Sequence, residues 1–304
     1  IFFFTTRLMK YTNKNNLPEE IVRAVQQDTY SKGEASISVT GLLSAPRPNI
    51  LAREHHNELV VDVSDEIWKI LGTASHYIME QANIGHEGTI TEERLYWNVR
   101  GWTISGQFDS MSLKDSTLRD LKVTSSWTVM HALKEGKIEW EQQLNCYAWL
   151  YKQNHKKDVE KLEIITINRV WSERQKQRSG GDYPDAQVSV IPIKLWTEEE
   201  QEEFIVSRVK AHQEADADYL ISKDLPLCTD EERWKQADSY RVLKKNRVRA
   251  IRVLNTEEEV NDFINEQNDK DLYVDFVKGE SRKCKDYCNV SQFCNQYAME
   301  VADG

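Results

Sequence analysis

The chain has 304 residues, 39% of them hydrophobic and 30% charged, with a formal net charge of −10, 12 Gly and 6 Pro. That length supplies one large domain or two small ones, and the composition excludes disordered, collagen-like and linker-rich architectures. On its own that net charge argues against a nucleic-acid partner, since polyphosphate binding draws on local positive potential, and no apolar run is long enough to span a bilayer.

The opening Ile1-Phe2-Phe3-Phe4 run has neither a basic leader region nor a cleavage site, so the expected setting is soluble, cytoplasmic (intracellular) and without a membrane partner. Because position 1 is Ile rather than Met, the chain is treated as open at that end. Asn16 and Pro18 open an amphipathic helix over 16–31, with Ile21, Val22 and Val25 on one face. Residues 35–56 begin with β-favouring alternation, which Pro46 and Pro48 break ahead of a short helix. Ser64 is the expected cap of a helix over 64–83: Asp65 and Glu66 suit its positive end, and Ile67, Ile70, Leu71, Ala74 and Ile78 form an apolar stripe. Three short strands follow over 93–99, 102–113 and 117–126, separated by Arg100-Gly101 and Lys114-Asp115-Ser116, the pattern of an antiparallel meander.

Trp140, Leu144, Tyr147 and Tyr151 recur at helical spacing over 137–154, so a helix covers one face of that sheet. Strands return over 161–171 and 186–196. A long exposed helix capped by Thr197 comes next, then a basic strand-like run, a Thr256-capped helix over 256–266 and a cysteine-bearing tail. The expected fold class is α/β, a central mixed sheet flanked by helices with a C-terminal cysteine-bearing extension. Its expected parts are a helical lead (1–35), a core (36–195) and a helical, cysteine-bearing region packed on that core (196–304). Residues 241–252 are basic with interleaved apolar residues, whereas 196–204 and 255–263 are acidic. The basic run reads equally well as an edge strand guarded by Lys and Arg and as a phosphate-tracking surface.

Asp120 and Lys122, two apart on a strand, point to one face, while Leu121 lies on the other with its carbonyl available. Antiparallel pairing with the preceding strand brings Asp109 towards Asp120, giving two carboxylates, a lysine and a carbonyl around one pocket. Such a hard oxygen set suits Mg²⁺ or Mn²⁺, and two close carboxylates need a cation or a proton between them.

Four segments then line up in order: Gly72-Thr73-x-x-His76-x-x-x-Glu80 on a helix, Gly106-x-x-Asp109, Asp120-x-Lys122 on a strand, and Gln143-x-x-x-Tyr147 on a helix. In this series the chain resembles the PD-(D/E)XK nuclease superfamily, most closely its RecB-like exonuclease branch, which includes CRISPR-associated RecB-like and AddB-type iron–sulfur nucleases. The resemblance covers about residues 36–155, the 38–51 segment included. It implies a restriction-endonuclease-like core and metal-dependent hydrolysis of DNA, by an exonuclease acting at single-stranded ends. It further implies that His76, Asp109, Asp120 and the Leu121 carbonyl bind Mg²⁺ or Mn²⁺ and that Lys122 orients or activates the attacking water. Gln143 and Tyr147, one helical turn apart, would hold the site's edge and contact DNA. Glu80 is a candidate for supporting the metal ligands, Ser125 and Ser126 for touching phosphate, and His55, His56 and His86 read as surface residues. The competing readings make His76 an ordinary helix histidine and Gln143 and Tyr147 parts of a core helix. The alternatives at the level of function are a zinc-stapled endonuclease on structured DNA and a non-catalytic DNA-binding module.

Of the five cysteines, Cys284, Cys288 and Cys294 crowd together near the C-terminus, Cys228 lies upstream and Cys146 sits on a helix. Without an export signal, metal ligation is expected rather than disulfides. Cys228, Cys284, Cys288 and Cys294 can complete an iron–sulfur cubane or a structural Zn²⁺ site, and Cys146 is the other candidate for the fourth place, a buried free thiol being its ordinary reading. A close trio with one remote Cys resembles the members of the same branch that carry a [4Fe–4S] cluster pinning the chain end onto the core. There the remote Cys precedes the nuclease motifs; here Cys228 follows them.

Overall fold

Two sheets and a helix with a fully buried central stretch organise the part of the chain that carries the four motifs. The structure is a computed structural model and describes residues 10–27, 33–179, 181 and 183–302; the opening Phe-rich run and the end of the expected 16–31 helix lie outside them. The chain divides into two units, one within Ile1–Pro46 and Val60–Asp224, the other within Arg47–Leu59 and Leu225–Gly304.

In chain order the first unit runs through β1 (Lys10–Thr12), α1 (Glu19–Gln26), β2 (Ile37–Ser38) and α2 (Val39–Leu43). After α3 (Pro46–Glu54), most of which belongs to the second unit, come β3 (Val60–Asp62), α4 (Ile67–Asn83), β4 (Thr89–Thr91), β5 (Arg94–Val99), β6 (Trp102–Gln107), β7 (Ser110–Ser112) and β8 (Thr117–Thr124). The series closes with α5 (Ser126–Glu135), α6 (Ile138–His155), β9 (Lys161–Asn168), α7 (Glu173–Arg178), β10 (Val188–Ile193) and α8 (Glu198–Ser222).

β8 and β9 run parallel at the centre of a five-stranded mixed sheet in the order β10-β9-β8-β7-β4, all other neighbours being antiparallel. Parallel neighbours need a long crossover, and α5 and α6 supply it. Every residue of α6 from 144 to 151 is buried, as a helix apolar on all sides must be. Leu144, Leu150 and Tyr151 share one core with Phe108, Met111, Leu118, Leu162 and Ile164. Asn145 is the polar exception on α6 and is fully satisfied. Its amide donates to the Glu141 and Lys194 carbonyls, both at 2.9 Å, and its oxygen accepts from the Trp196 N–H at 2.8 Å and Gln201 Nε2 at 3.1 Å, tying α6 to the start of α8.

The expected three-stranded meander is two pieces of two sheets. β5 and β6 form the expected hairpin, turning at Arg100 and Gly101 with both φ values positive, and β6 also pairs parallel with β2. The chain then leaves that sheet at Phe108, whose ring is wholly buried, and β7 pairs with β8 instead. Helix α5 was not anticipated. Ser125 caps it by accepting the Thr128 N–H, and Ser126 is buried and accepts a hydrogen bond from the Tyr183 hydroxyl at 3.0 Å, so both serines have structural work rather than an open face for phosphate.

The short helix expected where the prolines end the β alternation forms and begins at Pro46 itself, since proline's fixed φ and missing N–H suit a first helical position. Three other local expectations change. Asp62, not Ser64, caps the turn that leads into α4. The apolar stripe of α4 is not covered: none of its residues is buried, and Leu71 and Ile78 are 44% and 64% exposed. The long helix α8, capped by the expected Thr197 box, is in contrast not simply exposed, because Gln201, Ile205, Val209, His212 and Ala215 are buried. It belongs to the first unit, so the division falls after Asp224 instead of after residue 195, and residues 47–59 go with the second unit.

The second unit adds α9 (Asp230–Arg233), β11 (Ser239–Lys244), β12 (Arg252–Leu254), α10 (Glu257–Gln267), β13 (Leu272–Val277), α11 (Arg282–Asp286) and α12 (Asn295–Ala302). Its three-stranded sheet has the order β12-β11-β13. The basic run of 241–252 forms β11, a turn and the edge strand β12, with Lys244 paired to Asp269 at 2.7 Å. A separate small core joins Leu51, Leu59 and Val290 with Leu225, Cys288, Phe293 and Cys294. Among the described residues no helix is long and apolar enough to cross a membrane.

Asp62 holds the entry to α4 through four hydrogen bonds, from the Ser64 hydroxyl (2.6 Å) and amide (3.1 Å), the Lys14 amide (2.9 Å) and the Thr12 hydroxyl (2.7 Å). These donors, the Ser64 hydroxyl first, hold its carboxyl well below the usual carboxylate range. A depressed folded-state value means that the stabilisation is present above the unfolded value of about 4 and is lost as pH falls below it. Asp62→Asn is expected to lower the melting temperature at pH 7, and to reduce the drop in melting temperature that wild type shows between pH 7 and pH 3, both read by circular dichroism.

Candidate functional site

Strand alternation sends Asp120 and Lys122 to one face of β8, as expected. Asp120 is 3% exposed, and its Oδ2 meets the Lys122 ammonium at 2.7 Å as an ion pair but accepts no hydrogen bond of good geometry. Oδ1 faces Gln143 Nε2 at 3.4 Å, and the same amide donates to the Tyr147 hydroxyl at 2.8 Å. Gln143 and Tyr147 thus act as neighbours on one face of α6.

Asp109 sits where the chain passes from β6 to β7. Its Oδ1 lies 3.2 Å from His76 Nδ1 on α4, and its Oδ2 accepts the Leu121 N–H. A strand residue directs its N–H and C=O to the same edge. The last β7–β8 pair is Ser110 with Arg119, so the Leu121 carbonyl leaves β8 beyond the end of β7, on the side of Asp109.

Reading the sequence alone missed the third group at His76. Glu92 Oε1 lies 3.5 Å from His76 Nδ1, Glu92 Oε2 accepts from Gln107 Nε2 at 2.7 Å, and the Glu92 N–H donates to the Asp109 carbonyl at 3.1 Å. Glu92 has φ of +50°, a left-handed conformation that costs a non-glycine residue about 1 kcal/mol. No sequence signal marks that backbone state; the only clue was an acidic pair in the turn before β5. Glu80, the expected supporting carboxylate, is not among the residues that line the cavity, and Glu92 stands in that place.

His76, Glu92, Asp109, Asp120, Lys122, Gln143 and Tyr147 line one cavity of about 780 Å³, with Val25 of α1 and Ile70 and Tyr77 of α4 on its other wall. Its titratable groups interact strongly with one another. The carboxylates of Asp109 and Glu92, which accept hydrogen bonds from the His76 ring, push its pKa up to about 10 against the effect of burial, favouring the protonated ring. Burial raises Asp120 to about 6, with the Lys122 charge opposing and the Asp109 charge adding. Burial also works against the charged form of Lys122, but the charges of Asp120 and Asp109 outweigh it and hold its pKa above the ordinary value. One ligand atom each from His76, Glu92 and Asp109 can be drawn within 4.8 Å of one another, which fits a single divalent ion.

The cysteines gather in the second unit. Cys228 is within electrostatic reach of Cys284 and Cys294, and Cys284 of Cys288 and Cys294. Gln296 of α12 locks Cys228 in place, its amide group donating to the Cys228 carbonyl and accepting the Cys228 N–H, both at 2.9 Å. Burial pushes the Cys228 thiol up to about 12 and raises Cys284 and Cys288, so without a metal these are unreactive thiols. Cys146 lies apart from them in the core of the first unit, where burial pushes it up to about 12. It is an ordinary buried thiol.

Against known proteins, no family model matches the chain and no curated protein does. Among solved structures it is similar to the one titled "Crystal structure of SSO0001", with a TM-score of 0.43 and 20% sequence identity over 62% of this chain and 83% of that one.

Gly106 of β6 decides where Tyr147 stands, because a Cβ at this position would come within 2.7 Å of Leu150 Cδ1 and 2.9 Å of Tyr147 Cδ1. Gly106→Ala is expected to destabilise the first unit by about 1–3 kcal/mol in urea unfolding, as overpacked cores do. Intrinsic tyrosine and tryptophan fluorescence should report the displaced α6 contact even where the fold survives.

Proposed function

We propose that the first unit is a Mg²⁺- or Mn²⁺-dependent deoxyribonuclease of the PD-(D/E)XK type, hydrolysing phosphodiester bonds at single-stranded DNA ends as an exonuclease. The second unit, in this reading, carries a [4Fe–4S] cluster on Cys228, Cys284, Cys288 and Cys294. The observation that carries the proposal is convergence: six side chains nominated by four separate motifs, His76, Asp109, Asp120, Lys122, Gln143 and Tyr147, line one cavity. No position of that set is replaced, which disfavours a non-catalytic DNA-binding module.

His76, Asp109, Asp120 and the Leu121 carbonyl would hold the ion, with Glu92 either joining them or fixing the His76 ring. A divalent ion there supplies Lewis acidity, polarising a phosphoryl oxygen and drawing off charge as the transition state develops. Lys122 contributes the chain's own positive charge at the same point. Its ammonium, held by the buried Asp120, is placed to orient the water whose oxygen forms a new bond to phosphorus as the strand's bridging P–O bond breaks. Gln143 steadies the free side of Asp120, and the Tyr147 hydroxyl fixes Gln143 in turn.

For the second unit, the cluster is preferred to zinc because three of the cysteines, Cys284, Cys288 and Cys294, are close in sequence and Cys228 is remote, whereas zinc sites are built from two close pairs.

End-labelled single- and double-stranded DNA, incubated with Mg²⁺ or Mn²⁺, tests the activity. Wild type is expected to degrade single strands from their ends, and Asp120→Ala and Lys122→Ala to lose at least roughly 100-fold in rate, the scale of removing one electrostatic group from an active site. Undiminished cutting by both variants would sink the site. Metal binding should also carry a pH signature. His76 must lose its proton to become a ligand, and that proton is held up to about 10. Mn²⁺ affinity measured by calorimetry is then expected to rise roughly tenfold per pH unit between pH 6 and pH 9, with release of about one proton. His76→Ala should flatten that slope.

A further inference from the structure

Arg47, at the start of α3 in the second unit, is 4% exposed. Its guanidinium reaches four acceptors: Nε donates to the Pro226 carbonyl at 2.9 Å, Nη2 to the Leu225 carbonyl at 2.7 Å, and Nη1 to Asn295 Oδ1 at 2.6 Å and to Cys294 Sγ at 3.8 Å. None of these is a carboxylate. A buried guanidinium whose hydrogen bonds all go to neutral groups still lacks a counter-charge, and burying a charge unpaired is among the least favourable arrangements in a protein.

Acidic groups of the second unit have partners of their own. Glu300 is paired with both Arg233 and Lys235, and Asp230 with Arg233. Glu232 accepts the Thr229 N–H in a helix cap. Among the described residues no carboxylate is hydrogen-bonded to Arg47, whereas the Cys294 sulfur is, and the charge of Arg47 also reaches Cys228. Four thiolates bound to zinc or to an oxidised cubane core leave a net dianion, so a metal would turn uncharged thiols into the missing partner.

We propose that Arg47 is the buried counter-charge of a metal–thiolate centre on Cys228, Cys284, Cys288 and Cys294, donating a hydrogen bond to the Cys294 sulfur and setting how firmly the metal is held. The inference rests on the metal-centre reading of the second unit. It gives Arg47 two tasks that lysine could not combine. The fork ties the 225–226 segment before Cys228 to the 294–295 segment, and its charge opposes that of the centre. With iron bound, a cation and an N–H donor at one sulfur stabilise the more negative, reduced cluster and raise its potential.

The test uses the full chain purified anaerobically, with iron, sulfide and zinc counted per chain and metal release to a chelator followed with time. Arg47→Gln removes the charge and keeps polar length; Arg47→Lys keeps the charge and loses the fork. Arg47→Gln is expected to release metal about tenfold faster or more, the usual effect of losing a group that supports metal ligands, and, with iron, to have a lower midpoint potential. Arg47→Lys is expected to release metal faster than wild type while its potential stays near wild type. If the metal is zinc, the release rates alone are read, with the same expectation. Should Arg47→Gln not accumulate as a folded chain by circular dichroism, Arg47→Lys decides alone: a wild-type release rate overturns the role of the fork, and a potential lowered far below wild type overturns that of the charge. Wild-type release and potential in Arg47→Gln would overturn the assignment of Arg47 and leave the metal centre standing. Wild-type protein holding no more metal than Cys284→Ala would overturn both.

Discussion

A carboxylate enclosed on a central strand constrains much of what surrounds it in the first unit. Asp120 cannot be ionised in that position without compensation, and each neighbour answers part of the demand. Lys122, the next residue on the same face of β8, lies against one oxygen, and Gln143 faces the other from the crossover helix. Asp109, instead of adding an unanswered charge, is turned to the Leu121 amide and to His76. Remove the buried carboxylate, and the polar side of α6 and the departure of the chain from β6 lose their common purpose.

A comparable logic governs the second unit. A buried Arg47 donates to two carbonyls, an amide oxygen and a sulfur, while Glu300 pairs with Arg233 and Lys235. Each unit therefore holds a buried ionic residue, Asp120 in the first and Arg47 in the second, met by specific partners. In both, the protein's own groups do the positioning.

Much of this was legible from residue patterns because it depends on local periodicity. The placement of Asp120 and Lys122 follows from the alternation of a strand, the pairing of Gln143 with Tyr147 from helical spacing, and the caps at Thr197 and Thr256 from a four-residue signature. What stayed hidden depends on contacts distant in sequence or on backbone states. The 102–113 stretch alternates well enough to pass for one strand, and only the burial of Phe108 among residues of α6 and β9 explains why it changes sheets. Glu92 reaches His76 through a left-handed backbone conformation that no pattern of residue types announces. The uncovered stripe of α4 is the converse case: an apolar periodicity predicts a helix correctly while saying nothing about what packs on it. Arg47 escaped notice for a related reason, since a single arginine after a proline near the middle of an ordinary stretch carries no motif.

The division of the chain has a further consequence for how the protein is made. Residues 47–59 contribute Leu51, Ala52 and Leu59 to a core whose other members, Leu225, Cys288, Val290, Phe293 and Cys294, lie beyond residue 224. Synthesis runs from the N-terminus and domains fold as units, so this early segment leaves the ribosome long before its partners exist and must wait, apolar residues and Arg47 together, while the whole of the first unit is completed. The second unit is consequently the last to close. Neither unit can be isolated by a single cut, because the polypeptide passes between them after Pro46, after Leu59 and after Asp224.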